Sequence, residues 1–197
     1  DHRDLHSFPT RRSSDLVNVV ALVPAGEWRD ESWTAAGQVD DLAREFDGWD
    51  PRLQEMIRAA TTTLRWALFD RAPLDRWTAG RVTLLGDAAH AMVPFFAQGA
   101  AQAVEDAVVL AECLRDSNAA SAPAALRRYE SIRRPRASHV QLMSRGREVR
   151  NHLPDGPEQQ LRDEQLAGSH PLRQSQWLYG YDVLDDLRTP APPAPSH

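Results

Sequence analysis

The sequence predicts an α/β protein, and three observations carry that prediction. A β-branched, apolar run, Val82-Thr83-Leu84-Leu85, stops at Gly86-Asp87, as a buried strand does at its C-terminal end. Past it come a weak helical turn, Ala88 to His90, a break at Pro94 and, from Gly99, a long amphipathic helical pattern. A second long helical pattern starts at Pro123, a residue suited to the first turn of a helix. The order is strand, acidic turn, proline loop, helix.

Composition narrows the function classes. The chain has 197 residues and a net charge of −5, and all 23 basic residues are arginines. That balance offers no general case for nucleic-acid binding. Cys113 is the one cysteine, which excludes an intrachain disulfide and a cysteine-based zinc site. No apolar run approaches the ~20 residues needed to span a bilayer, and the N-terminus has no apolar signal-peptide core. The reading is a cytoplasmic protein with no membrane and no nucleic-acid partner; association of copies is left open.

In chain order, residues 1–16 are polar and without period, and are read as a non-native leader resembling a translated adapter, a natural disordered leader being the alternative. Val17–Val23 is a strand candidate ended by Pro24-Ala25-Gly26. Ala35 to Phe46 has helical spacing in Val39, Leu42, Ala43 and Phe46; Asp50-Pro51 caps a second helix, with Leu53, Met56 and Ile57 inward. Leu64 to Phe69 alternates as a strand. Trp66, Phe69 and Trp77 read as core aromatics, although a substrate contact has the same composition. Arg71 and Arg76 read as surface partners of Asp70 and Asp75.

The helix from Gly99 to about Arg115 should bury Ala101, Val104, Val108, Ala111 and Leu114, with Cys113 an inert thiol at the border. Glu105-Asp106 read as early-helix acids suited to the dipole, a charged functional site being the other reading. A small-residue linker, Ser117 to Ala122, leads to a helix from Ala124 to about His152, interrupted or restarted at Pro135. Its arginines read as a solvated face rather than an RNA-binding one, with Leu126, Tyr129, Ile132 and Val140 inward. Trp177 to Asp182 reads as a docked aromatic patch, and Thr189 to His197 as a disordered tail.

The chemistry concentrates in Arg81 to Ala107. A carboxylate such as Asp87 at a strand end can accept hydrogen bonds from sugar-like hydroxyls, and clefts at strand ends bind ligands in open α/β sheets. Gly99 lets backbone approach a ligand, and the helix it opens presents N–H groups that favour negative charge. An anionic or hydroxyl-rich ligand fits this order.

The string GDAAH, a proline, QGA and ED closely resembles the second flavin-contacting motif of the FAD-dependent aromatic-ring monooxygenases, the salicylate hydroxylase and p-hydroxybenzoate hydroxylase type. The likeness extends to NVVA (Asn18–Ala21), ESWT (Glu31–Thr34), LFDRAPLDRW (Leu68–Trp77), YESIRRPRA (Tyr129–Ala137) and WLYGYD (Trp177–Asp182), covering roughly 17–182. The resemblance implies the C-terminal portion of an FAD-binding Rossmann-like fold. Residues 17–78 would be a remnant of the substrate-domain sheet, 79–152 the FAD-binding part, 153–188 a docked segment and 189–197 a tail.

By the same resemblance Asp87 would bond a ribityl hydroxyl with Gly86 allowing its approach. Pro94 would lie beside the isoalloxazine, and the Gly99 and Ala100 N–H groups would face its N1–C2=O edge. Met92, Val93, Phe95 and Phe96 fit either a substrate-pocket wall or plain core. His90 would be scaffold of the flavin loop; a catalytic-base role is the other reading, with no orienting partner visible in the sequence. Family members use FAD, NADH or NADPH and O2, through a flavin C4a-hydroperoxide, to hydroxylate a small aromatic substrate.

One departure is large: the chain contains no GxGxxG, the strand–turn–helix fingerprint that holds the FAD pyrophosphate. The expectation is therefore a fragment that neither holds FAD tightly nor turns over alone. The alternatives are a noncatalytic fold remnant or an arginine-rich helical interaction module, and, among enzymes, an FAD-dependent epoxidase or polyketide hydroxylase.

Overall fold

The structure, a computed structural model, describes residues 17–23, 32, 34–168, 170, 173 and 175–188. The expected leader at 1–16 and tail at 189–197 lie outside them. Two compact units divide between Ala67 and Leu68.

The first unit holds helices α1 (Val39–Glu45) and α2 (Pro51–Arg58), which pack on each other. Asp50 caps α2 by accepting the Arg52 N–H at 2.8 Å, and proline starts the helix where its missing N–H costs nothing. Ile57 is buried, whereas Met56, expected inward, is exposed. Gln54 reaches back to the α1 end, its amide donating to the Ala43 and Phe46 carbonyls. Neither expected strand of this region forms as such. Val17–Val23 has no strand and Val17 and Val20 are exposed; of Leu64–Phe69, Leu64 alone bridges, antiparallel to Ala36.

The second unit carries strands β1 (Thr78–Ala79) and β2 (Val82–Thr83), an antiparallel hairpin turned at Gly80, whose φ is +58°. Then follow α3 (Asp87–His90), a 3-10 turn Pro94–Phe96, α4 (Gly99–Leu114), α5 (Ala122–Asn151), α6 (Pro157–Ala167), α7 (Gln176–Tyr179) and α8 (Val183–Arg188). β2 is shorter and less buried than the sequence suggests, with Val82 66% exposed. Its partner is a hairpin and not a central sheet. α5 runs unbroken through Pro135, correcting the expected interruption.

The core of this unit is Trp77, Ala89, Val109, Tyr129 and Ala137, where α4 and α5 pack together, with Leu84, Ile132, Val183 and Leu187 around it. Trp77 is thus core as expected; Phe69 is 49% exposed and is not. Asp70 pairs with Arg145 at 2.8 Å rather than with Arg71. Cys113 borders the core, and burial, with Glu112 adding to it, pushes its thiol above the ordinary range against the opposing Arg128, leaving little thiolate.

On α4 the buried face is not the expected one. Gln102, Asp106 and Val109 are fully buried while Val104 is 65% exposed. The polar residues win the interior because Arg133 of α5, itself fully buried, meets them there. The solvated-arginine reading of α5 fails at Arg133 and at Arg136, which is also largely buried.

Candidate flavin-loop site

The turn at Gly86-Asp87 is held from two sides. Tyr129 of α5 donates its hydroxyl to the Leu84 carbonyl at 3.1 Å, and Asp106 of α4 accepts the Gly86 N–H at 2.9 Å. The Thr78 N–H donates to Glu130 at 2.9 Å and its hydroxyl to the Leu126 carbonyl at 3.3 Å, clamping the hairpin to α5. Gly86 has φ +59° and ψ −143°, a conformation that side chains avoid, although an added Cβ would only touch Ala103 at 3.5 Å. Its conformation, not crowding, requires glycine.

Asp106 is the centre of the arrangement. His90 Nε2 lies 2.7 Å from its Oδ2 and Arg133 Nε donates to Oδ1 at 2.8 Å, all three side chains being fully buried. Arg133 further donates to Glu105 at 2.5 Å and to the Gln102 side-chain oxygen at 2.8 Å, while Arg136 holds Glu105 at 2.9 and 3.0 Å. Two acids and two arginines balance, and each charge is paired, as burial demands. Burial pushes the Asp106 carboxyl up, but the bonds from His90, the Gly86 N–H and Arg133, together with the Arg133 charge, outweigh it and hold the carboxyl below the usual carboxylate range. Ionised Asp106 only accepts, so His90 carries its hydrogen on Nε2. This supplies the orienting partner that the sequence did not reveal.

Asp87 is exposed at the first position of α3. Its Oδ1 lies 3.8 Å from where a Cβ on Gly99 would stand, so strand-end acid and α4 N-terminus meet. Among the described residues no side chain caps α4 and its first turn has no acid, which leaves its leading N–H groups for another acceptor. Gly99 has no positive φ to explain it and an added Cβ would meet only that ordinary contact. Pro94 and Ala100 are exposed, Met92, Phe95 and Phe96 half-buried, and Val93 buried at 4%. Ala97 ends the 3-10 turn at φ +52°, a left-handed conformation uncommon for a residue with a Cβ.

The residues present fit one end of a flavin: a turn acid beside an open helix N-terminus that suits a partial negative charge. They include no second phosphate cradle of the GxGxxG kind. Sequence reasoning missed Asp106 and Arg133 as the frame of this site. The available signal was the polar series Gln98, Gln102, Glu105 and Asp106, recurring at helical spacing among alanines and valines. Among the described residues no group of His, Cys, Asp and Glu could hold a metal, and no helix is long and apolar enough to cross a membrane.

Comparison with known proteins gives the same direction. The chain is 46% identical over 177 residues to 3-amino-4-hydroxybenzoate 2-monooxygenase PtnB3 of Streptomyces platensis, covering 90% of this chain and 44% of that protein. A salicylate hydroxylase solved as a substrate complex superposes with a TM-score of 0.70 at 32% identity, over 86% of this chain and 42% of the other. Klebsiella pneumoniae HpxO, complexed with FAD and uric acid, does so with a TM-score of 0.65 at 33% identity and the same coverages. The chain thus spans less than half the length of these relatives. The FAD binding domain family matches residues 3–144, more than half of the chain, and the protein belongs to that family.

Proposed function

We propose that this chain supplies the flavin-ring side of an FAD-dependent monooxygenase that hydroxylates a small aromatic substrate with NADH or NADPH and O2. The observation that carries the reading is the juxtaposition of Asp87 with the uncapped start of α4, on a turn locked by Asp106 and Tyr129. Bound FAD supplies the transfer of electrons from the nicotinamide and the activation of O2. Asp87 accepts a ribityl hydroxyl, and Gly86 gives the turn its shape. The Gly99 and Ala100 N–H groups stabilise negative charge at the flavin N1–C2=O edge, a type of contribution worth about 3–4 kcal/mol. Pro94 would flank the ring, and Met92, Phe95 and Phe96 would face the substrate side, with the buried Val93 anchoring the loop. His90, held by Asp106, keeps the loop in register rather than moving a proton.

In this reading residues 79–152 are the FAD-binding part, 17–78 belong to the substrate domain and 153–188 dock on the former. The substrate class rests on the names of the relatives, which act on amino-hydroxybenzoate and salicylate. The test joins this chain to a strand–GxGxxG–helix segment of the same family and measures flavin absorbance after gel filtration, then NADH oxidation with salicylate or 3-amino-4-hydroxybenzoate. Retained FAD, lost on Asp87→Ala by about tenfold in affinity, supports the reading. Flavin retention indifferent to Asp87→Ala sinks the assigned role, and no flavin uptake at all sinks the function.

A further inference from the structure

A cleft of about 710 Å³ opens beside the Pro94–Phe96 turn and shares only Phe96 with the reading above. Its size is that of a small-molecule site. α5 contributes Leu142 and Met143 to its wall, α7 contributes Trp177 and the turn contributes Phe96. Leu142, Met143 and Trp177 are 53%, 38% and 38% exposed, so the concave surface keeps much apolar area in water.

Two arginines converge on the same space. The Arg147 guanidinium carbon lies 5.8 Å from the Phe96 ring centroid, within cation–π range, and Arg147 has no carboxylate partner among the described residues. Arg150 donates one N–H to the neutral Gln165 side-chain oxygen at 3.0 Å, and its buried Nε has no acceptor among the described residues. Among the described residues one acid, Glu164, also lines the cleft, leaving a net charge of about +1 beside an aromatic floor.

From this juxtaposition we infer a second binding site, for a single-ring aromatic carboxylate, distinct from the flavin loop. The carboxylate takes the Arg147 and Arg150 N–H groups, which a planar guanidinium offers in matching pairs. The ring lies against Phe96, Trp177 and Leu142. Of the residues proposed around the flavin, Phe96 alone lines this cleft; Asp87, Met92, Phe95 and Gly99 do not. Ligand binding here needs no flavin, so its test stands apart from that of the proposed function.

That test is a calorimetric titration of the full 197-residue chain, without FAD, using sodium benzoate and then neutral benzamide. Saturable benzoate binding is expected, weakened about tenfold or more by the change to benzamide and by either Arg147→Gln or Arg150→Gln. Arg134→Gln, which removes an arginine outside the cleft, leaves it unchanged. Absence of saturable binding, equal affinity for benzamide, or an equal loss in Arg134→Gln overturns the site. The benzamide comparison uses the unaltered chain and holds even if a variant misfolds.

Discussion

At the residue scale, Asp106 joins α4 to the Gly86 turn, to His90 and to Arg133. Replacing it by alanine orphans a buried N–H and leaves Arg133 with Glu105 as its remaining charge partner. The expected cost is about 3–5 kcal/mol in urea unfolding, the range for breaking a buried pair from one side. The pH dependence follows from the lowered Asp106 carboxyl. A folded pKa below the unfolded one binds fewer protons when folded, so the stabilisation is complete above the ordinary carboxylate value of about 3.9 and fades as pH falls through the folded value. Unfolding followed between neutral pH and pH 2 should therefore show a steep acid limb that Asp106→Asn flattens; an unchanged limb would show that other carboxylates dominate. Asp87 and Gly86 were legible at this scale because an acid after a strand-like run and a glycine are local signals. Asp106 was not, because its partners lie 16 and 27 residues away and only packing brings them to it.

At the element scale, the register of α4 separates what hydrophobicity suggests from what packing selects. Val109 is fully buried and Val104 is 65% exposed. Val109→Ala should cost about 2 kcal/mol through lost burial and a cavity, and Val104→Ala less than about 0.5 kcal/mol. Thermal unfolding of the two variants checks this, and equal losses would restore the register expected from the apolar pattern. The docked WLYGYD segment is fastened by two residues of α5, His139, whose ring meets Trp177 edge-on at 4.9 Å, and Arg136. Arg136 stacks 3.6 Å from the Tyr181 ring centroid and donates to the Trp177 and Leu178 carbonyls at 3.3 and 3.1 Å. Arg136→Ala should expose 175–188 to limited proteolysis, cutting there at least about fivefold faster, since local opening is set by few such contacts. An unaltered cleavage rate would mean that α8 packing and the His139–Trp177 contact hold the segment without it. Helices α2 and α4 begin where the sequence places them because proline, Asp50 and Gly99 act locally; the strands at 17–23 and 64–69 do not form as expected because a strand needs a neighbour to hydrogen-bond.

At the scale of the whole molecule, the chain belongs to the FAD binding domain family and spans under half the length of its relatives. Since it contains no GxGxxG, the 197-residue chain alone should elute from gel filtration without stoichiometric FAD, whereas stoichiometric yellow protein would mean that the turn and the α4 N-terminus suffice. The family, the cofactor class and the positions of Gly86, Asp87, Pro94 and Gly99 on their turns were determined by the sequence itself, because an ordered motif encodes backbone geometry within a few residues of itself. Which face of α4 is buried, that Arg133 and Arg136 leave solvent, and that His90 has a carboxylate partner were decided by the tertiary structure. The physical reason is that a charge enters the interior where its counter-charge is already placed, and that placement exists only once α4 and α5 pack.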